Sequence, residues 1–353
     1  MDSGHNRAMT AAPANNHPYE TLTPDVVLDA LATLGLYGDG RLMALSSYEN
    51  RVYQVHLEEP SDVPAVVVKF YRPGRWSEAQ ILEEHAFAAE LMVAEIPAVG
   101  PLTLHGKTLH HFGDFMFSVS PRRGGRLPEL DDFEALEWIG RFLARIHTVG
   151  AKATFSHRPA LDLATFGTAS RDWLLGHDMI PLDVQGAWQE KCDEALELIA
   201  ASALPSGAGG QKDSQIKVLR LHGDCHPGNI LWTPTDRPDG GPHFVDLDDA
   251  RTGPAVQDLW MLLSGDRGQR TVQLSGLLDG YEQFRSFDRR ELALIEPLRT
   301  LRLIHYSAWL ARRWADPTFP INFPWFGTSD YWVGQVNMLT EQIEAMGEEP
   351  LHV

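Results

Sequence analysis

Residues 222–229 read His-Gly-Asp-Cys-His-Pro-Gly-Asn, and Asp246 of Val245-Asp246-Leu247-Asp248-Asp249 follows seventeen residues after Asn229. The first stretch cannot be a helix, because Gly223, Pro227 and Gly228 all oppose one. Apolar flanks on both sides, Ile230-Leu231-Trp232 and Phe244-Val245, read as short strands. The chain is therefore committed to a loop, a strand and a second strand that ends on a carboxylate. Together these supply a carboxylate, an amide five residues later and a second carboxylate. That set is what a kinase needs to accept a hydroxyl proton and hold Mg²⁺ on ATP phosphates.

Each residue has a role that its chemistry suits. Asp224 is the expected catalytic base, orienting the attacking hydroxyl and accepting its proton. Gly223 permits a tight turn before it, and the His222 side chain is placed to hold the loop. Asn229 offers a neutral, hard amide oxygen to Mg²⁺. Asp246 is the expected second metal ligand, next to the ATP phosphates. Taken singly, Asn229 reads as a loop cap and Asp246 as a turn former at a strand end; their joint appearance carries the kinase reading. Asp248 and Asp249 crowd the same region. Asp258 falls at a helix start, where a carboxylate favours the dipole, and is expected to be structural.

Lys69 interrupts the apolar run Pro64-Ala-Val-Val-Val-Lys-Phe-Tyr71. On a strand, Val66 and Val68 face one side while Val67 and Lys69 face the other. A lysine there needs an anionic partner. ATP phosphates and a glutamate on the next helix would supply it; Glu83 and Glu84 both lie on that helix, and Glu84 is preferred. The stretch Ser46-Ser-Tyr-Glu-Asn50 links two strands and suits a loop over ATP phosphates. It lacks Gly-x-Gly-x-x-Gly, so an ordinary hairpin turn competes. His222 and His226 sit four apart, but outside a helix that spacing does not make a zinc pair. Cys225 reads as packing.

Along the chain, residues 1–18 form a tail without periodicity. Residues 19–120 read as an ATP-binding lobe. It contains a helix over 24–36 capped by Thr23 or Asp25, strands at 41–46, 51–58 and 64–71, a helix over 77–95, and further strand segments at 99–105, 107–111 and 113–120. Residues 121–130 suit a hinge. Residues 131–353 are mostly helical, over 131–149, 168–176, 181–202, 255–264, 271–284, 288–313 and 329–346. Short strands at 218–222, 229–232 and 243–247 surround the motif, and 204–214 is a flexible loop. The fold class is α+β: a small antiparallel sheet lobe beside a larger helical one, the bilobal protein-kinase-like arrangement.

The formal net charge of -18 argues against nucleic acid as a partner, since a phosphate backbone needs a basic footprint. The same acidity serves solubility or attracts basic substrates. No run of about eighteen apolar residues exists to span a membrane, and no basic start leads into an apolar signal segment. Two cysteines, Cys192 and Cys225, do not make a disulfide framework. A soluble cytoplasmic protein is expected.

His-Gly-Asp-x-His-x-x-Asn resembles the aminoglycoside phosphotransferase and choline kinase branch of the protein-kinase-like fold. Further segments resemble the bacterial stress response kinase A family, also called the YihE protein kinase family. They are Ser47-Tyr-Glu-Asn-Arg-Val-Tyr53, Val68-Lys-Phe-Tyr-Arg-Pro73, Ile81-Leu-Glu-Glu-His85, Phe244-Val-Asp-Leu-Asp-Asp-Ala-Arg251 and Gly253-Pro-Ala-Val-Gln-Asp-Leu-Trp260. The resemblance spans roughly residues 20–345. It implies an ATP- and Mg²⁺-dependent serine/threonine protein kinase, monomeric and cytoplasmic, acting in stress response and protection from stress-induced cell death. It implies Asp224 as proton acceptor, Asn229 and Asp246 as magnesium ligands, Asp246 also as a catalytic residue, and Ser47 as a residue of the nucleotide loop. Protein substrates, with the kinase itself as one candidate, are the implied partners besides ATP. This chain departs from the family by its longer tail, the 204–214 loop and extra residues between Trp232 and Phe244.

Two other readings stay open. A small-molecule alcohol kinase of the aminoglycoside, choline or homoserine type would use the same catalytic residues, and an acceptor pocket rich in carboxylates would favour a cationic molecule. A catalytically dead binding module is the third, which the joint presence of Lys69, Asp224, Asn229 and Asp246 opposes.

Overall fold

The structure, a computed structural model, describes residues 17–59, 63–205 and 216–353. The expected tail lies outside these apart from residues 17 and 18, as does most of the expected 204–214 loop. The first half runs α1 (Pro24–Ala32), β1 (Gly38–Ala44), β2 (Arg51–Leu57), β3 (Ala65–Phe70), α2 (Glu78–Val93), β4 (His110–Phe112) and β5 (Phe115–Pro121). There follow α3 (Phe133–Gly150), α4 (Ala169–Gly176), α5 (Leu182–Ala201), β6 (Leu219–Leu221), β7 (Ile230–Thr233), β8 (Gly241–Phe244) and β9 (Arg251–Gly253). The chain closes with α6 (Val256–Trp260), α7 (Arg267–Tyr281), α8 (Ile295–Arg312), α9 (Thr318–Asn322) and α10 (Ser329–Met346). It is the α+β fold expected.

The five N-terminal strands make one antiparallel sheet in the order β1-β2-β3-β5-β4. Alternation along β3 buries Val66, Val68 and Phe70 in an apolar cluster with Val27, Leu31 and Phe117. Lys69 pairs with Val52 on β2 and Ser118 on β5, so it belongs to the opposite face from Val68. Helix α1 starts at Thr23, whose hydroxyl accepts from Val26 N at 3.3 Å. Helix α2 starts with a capping box, Ser77 N donating to Gln80 Oε1 at 2.9 Å and Gln80 N to Ser77 Oγ at 3.3 Å. Its buried face carries Ile81, Glu84, His85, Ala88 and Leu91, which fixes Glu84 inward and turns Glu83 aside.

The expected strand at 99–105 does not form. Pro101 has no N–H to give a ladder, and Leu102 N makes a single bond to Val119 O at 2.7 Å. His105 and Gly106 then turn with φ of 49° and 75°.

The helical part has two cores. In one, α3 and α7 lie side by side with the β6–β9 and β7–β8 pairs beneath them. In the other, α5, α8 and α10 close around Trp188 and Trp332, whose rings meet edge to face at 5.6 Å. Strand β9 and a π-helical turn over Leu163–Thr168 have no counterpart in the sequence expectation. Both are too short to show a period.

Helices α3 and α7 approach closely because each presents glycine to the other. A Cβ on Gly140 would lie 1.9 Å from Leu277 O, and one on Gly280 would lie 2.0 Å from Glu137 O. Both obstacles are backbone and cannot rotate away. Gly140→Ala should therefore lower stability by about 1–3 kcal/mol. Gly186→Ala, on α5 with nothing within 4 Å of its Cβ position, should raise it by roughly 0.5–1 kcal/mol. Thermal unfolding of both variants checks the pair; an unchanged Tm for Gly140→Ala would refute the close approach.

Candidate active site

The loop at 222–229 is built around a carboxylate that solvent does not reach. Asp258, on α6, is fully buried and accepts from His222 N at 2.9 Å and Gly223 N at 2.8 Å. His147 Nε2 lies 3.0 Å from the same carboxylate, and its Nδ1 2.9 Å from the Tyr281 hydroxyl. Burial pushes the Asp258 carboxyl up, but the His147 bond and charge and the loop N–H bonds outweigh it and hold it below the ordinary range. The role of Asp258 is thus structural, as expected, but its physical basis differs. It anchors two loop amides from 36 and 35 residues away in sequence, rather than serving the dipole of its own short helix.

Gly223 has φ +86°, and a Cβ there would sit 2.2 Å from Asp249 O. No other residue fits the turn. His222 is buried, and its Nε2 donates to Val245 O at 2.9 Å, tying the loop to the strand end that carries Asp246. Asp246 itself takes the left-handed conformation at φ 59°, which aims its exposed carboxylate away from the strand. Asn229 spends its amide nitrogen on Asp224 O at 2.9 Å, so its carboxamide oxygen is the atom left to bind a cation. Cys225 is buried between them, and burial pushes its thiol well up.

Asp224, Asn229, Asp246 and Ser47 line one cavity of about 750 Å³. Lys69 reaches it through an ion pair with Asp246, Nζ to Oδ1 at 2.6 Å. Burial alone would lower the Lys69 ammonium; Asp246, then Asp248 and Glu84, outweigh it and hold it well above its usual value. The expected Lys69–Glu84 pair is not made: the lysine bonds Asp246 instead. Glu84 stands close behind, buried, with its Oε2 lacking a hydrogen-bond partner. Burial pushes its carboxyl up to about 7 against the pull of Lys69. Glu83 is engaged elsewhere, accepting from the N–H groups of Ser156, His157 and Arg158 at 2.5–2.9 Å. Of the two glutamates, the one near Lys69 is Glu84.

Sequence reasoning missed the residues that hold the cavity shut. The 46–50 loop is pinned to the helical part: Glu49 Oε2 accepts from Trp309 Nε1 at 2.6 Å and pairs with Arg313 Nε at 2.5 Å. Asn50 Nδ2 donates to Asp248 Oδ2 at 3.1 Å. Arg75 pairs with both Asp248 and Asp249, and Arg251 with Asp249 at 2.5 Å. Burial would raise the Asp249 carboxyl, but Arg75 and Arg251 hold it far below the ordinary range. Arg51 and Arg72 converge on the buried Asp316 at 3.1 and 3.0 Å. On the cavity floor, Arg302 Nη1 donates to Asp224 Oδ1 at 2.7 Å. Apart from Arg251 and Asp249, which stand two residues apart, these partners lie 78 to 265 residues apart in sequence, beyond any local spacing rule.

The oxygen donors suit magnesium. Among the described residues, no group of three or more His, Cys, Asp or Glu side chains could hold a metal by itself. Magnesium needs no such cage, since it keeps several waters and takes one or two carboxylates with substrate phosphates. Asp246 and the Asn229 amide oxygen meet that requirement.

Fold and residue set together define a phosphoryl-transferring kinase. The model of the phosphotransferase enzyme family matches residues 42–295. Stress response kinase A of Escherichia coli (strain K12) is 45% identical over 335 residues, covering 95% of this chain and 97% of that protein. The serine/threonine protein kinase RdoA of Salmonella typhimurium (strain LT2) is 43% identical over 339 residues, with 96% and 98% covered. The chain belongs to the phosphotransferase enzyme family and, within it, to the stress response kinase A family. Among solved structures, amicoumacin kinase hAmiN in complex with AMP-PNP, Ca²⁺ and Ami superposes with a TM-score of 0.68 at 19% identity, covering 94% of this chain and 96% of that one. A microcompartment-associated aminopropanol kinase gives 0.66 at 16%, covering 92% and 99%. At these identities the likeness is one of fold. Among the described residues, no helix is long and apolar enough to cross a membrane.

Glu84 yields a pH prediction. Its carboxyl moves from 4.5 to about 7 on folding, so the folded state holds the extra proton between those values. The stability tied to this proton is present below 4.5 and is lost as pH rises through 7. Glu84→Gln should flatten the fall of Tm between pH 5 and 8. At pH 8 it should be the more stable protein, by on the order of 2–3 kcal/mol. Identical slopes in the two proteins would mean that Glu84 folds in its ionised form.

Proposed function

We propose that this protein transfers the γ-phosphoryl group of ATP to serine or threonine hydroxyls of proteins, its own included, with Mg²⁺ as the metal. The observation that carries the reading is the convergence of Asp224, Asn229 and Asp246 on one cavity, with Lys69 bonded to the last. The names of the relatives support the acceptor: one is a serine/threonine protein kinase and others are stress response kinases. A role in stress response and in protection from stress-induced death is proposed on the same ground, in a cytoplasmic monomer. We take residues 19–120 as the ATP-binding lobe, 121–130 as the connection and 131–353 as the lobe that carries the catalytic and metal-binding loops.

Asp224 accepts the proton of the attacking hydroxyl, held at its angle by the Asp258 anchor below it. Asn229 and Asp246 hold the metal through their side-chain oxygens. Bound Mg²⁺ supplies charge neutralisation on the β- and γ-phosphate oxygens. Lys69 turns from Asp246 to the α- and β-phosphates, with Glu84 as the carboxylate behind it. Ser47 offers a hydroxyl and a backbone N–H from the loop that roofs the cavity. Positioning and fixed charge supply most of the rate in such a reaction.

A second reading is kept alive by the structural neighbours named for amicoumacin and aminopropanol, which places a small alcohol in the acceptor position. The two readings separate in one experiment. Labelled ATP and Mg²⁺ are supplied with protein acceptors and, separately, with a panel of small alcohols. Label is expected on Ser or Thr of protein. Asp224→Asn should bind Mg-ATP yet lose roughly 10²–10⁴-fold in turnover. Asp246→Ala should lose Mg²⁺-dependent ATP binding as well, read by thermal shift. Wild-type turnover in Asp224→Asn would remove the base assignment, and label on small alcohols alone would replace the protein acceptor.

A further inference from the structure

The charges on the cavity wall do not follow those of the chain. The protein has 30 basic against 48 acidic residues, yet the cavity is lined by five arginines and five carboxylates. Three of the carboxylates are already matched: Asp248 and Asp249 by Arg75 and Arg251, and Glu49 by Arg313. Two more, Asp224 and Asp246, are assigned above to the hydroxyl and the metal. The remaining cations are Arg302 and Arg312. Arg302 gives one N–H to Asp224 and keeps a side chain 42% exposed. Arg312 is exposed, donates to Ala169 O at 3.2 Å and lies over Trp173 at 5.5 Å. Among the described residues it has no carboxylate partner.

Both arginines stand on one face of α8. Positions 302, 306, 309 and 312 recur at helical spacing, and all four line the cavity. Tyr306 and Trp309, between the arginines, stack with their rings 5.6 Å apart and 16° from parallel. Ten residues of helix separate the arginines by roughly 15 Å, the span of about four to five extended residues. One cation thus sits beside the hydroxyl site and the other a short peptide's length away, with an aromatic platform between.

We propose that the acceptor is an acidic peptide segment: a serine or threonine with carboxylate or phosphate groups around it, laid along α8. Arg302 meets an acidic group adjacent to the hydroxyl, and Arg312 meets one about four residues away. Guanidinium suits both carboxylate and phosphate through paired N–H donors. The same arginines disfavour cationic acceptors, whose positive charges would face them with the nearby carboxylates already occupied. The Asp248-Asp249 pair, which could otherwise receive a cationic molecule, is turned to Arg75 and Arg251.

This inference rests on the protein-kinase reading, and the test keeps the two apart. Serine peptides with aspartate at each flanking position are compared with lysine-substituted versions, using the full-length protein with Mg-ATP. Wild type should favour the acidic peptides at least tenfold in kcat/KM, with one preferred aspartate about four residues from the serine. Arg312→Glu should abolish or reverse the preference at that position, through KM rather than kcat, and Arg312→Lys should restore much of it. Arg302→Gln should weaken the preference at the adjacent position. Raising the salt concentration should raise KM for acidic peptides in wild type and leave it nearly flat in Arg312→Glu. Transfer to peptides with a preference for lysine, or a preference untouched by Arg312→Glu, would overturn the acidic acceptor and leave the kinase reading standing. No transfer to any peptide or protein, with label found only on small alcohols, would overturn both.

Discussion

The site depends on one carboxylate that never meets solvent. Asp258 gathers the N–H groups of His222 and Gly223 and the ring of His147, so the backbone that presents Asp224 has no freedom to drift. A buried carboxylate is costly unless it is bonded, and here each bond that offsets its burial also orients the loop. Tyr281 then ties His147 to α7, and the glycine-mediated contact of α3 with α7 keeps both ends of that chain of bonds in place. The geometry at the base is therefore set by packing some distance away, not by the loop itself.

A second layer of charge joins the sheet to the helices. Arg51, at the start of β2, and Arg72 and Arg75, just after β3, end on Asp316, Asp248 and Asp249, while Glu49 crosses the other way to Arg313 and Trp309. Removing one partner of such a pair would strand a buried charge, at a cost of about 3–5 kcal/mol. That asymmetry holds the Ser46–Asn50 loop over the cavity. The same pairing neutralises Glu49, Asp248 and Asp249 on the cavity wall.

Much of the fold was legible. Val66, Val67, Val68 and Lys69 alternate as a half-buried strand must, α1 declares itself through the Thr23 cap and a helical period, and α2 through its period. The failures have physical causes. Residues 99–105 carry strand-like side chains, but Pro101 and the turn at His105-Gly106 deny them a ladder. The π-helical turn at Leu163–Thr168 and the three-residue strand β9 exist because tertiary neighbours hold them, and no local pattern that short can be told from coil. Glu84 was identified by its place on α2, yet its bond to Lys69 was not found. An ion pair is won by whichever carboxylate lies nearest, and Asp246 arrives from 177 residues away.

The sequence by itself determined the chemical set: a loop that cannot be helical with Asp224 and Asn229 on it, a strand ending on Asp246, and a lysine on the odd face of a valine strand. Those follow from residue types and periods that act within a few positions. Only the tertiary structure decided which charges meet. Arg302 comes to Asp224, Lys69 to Asp246 rather than Glu84, and Arg75 to Asp248 and Asp249, because electrostatic partners are chosen by distance in space after the apolar cores have closed.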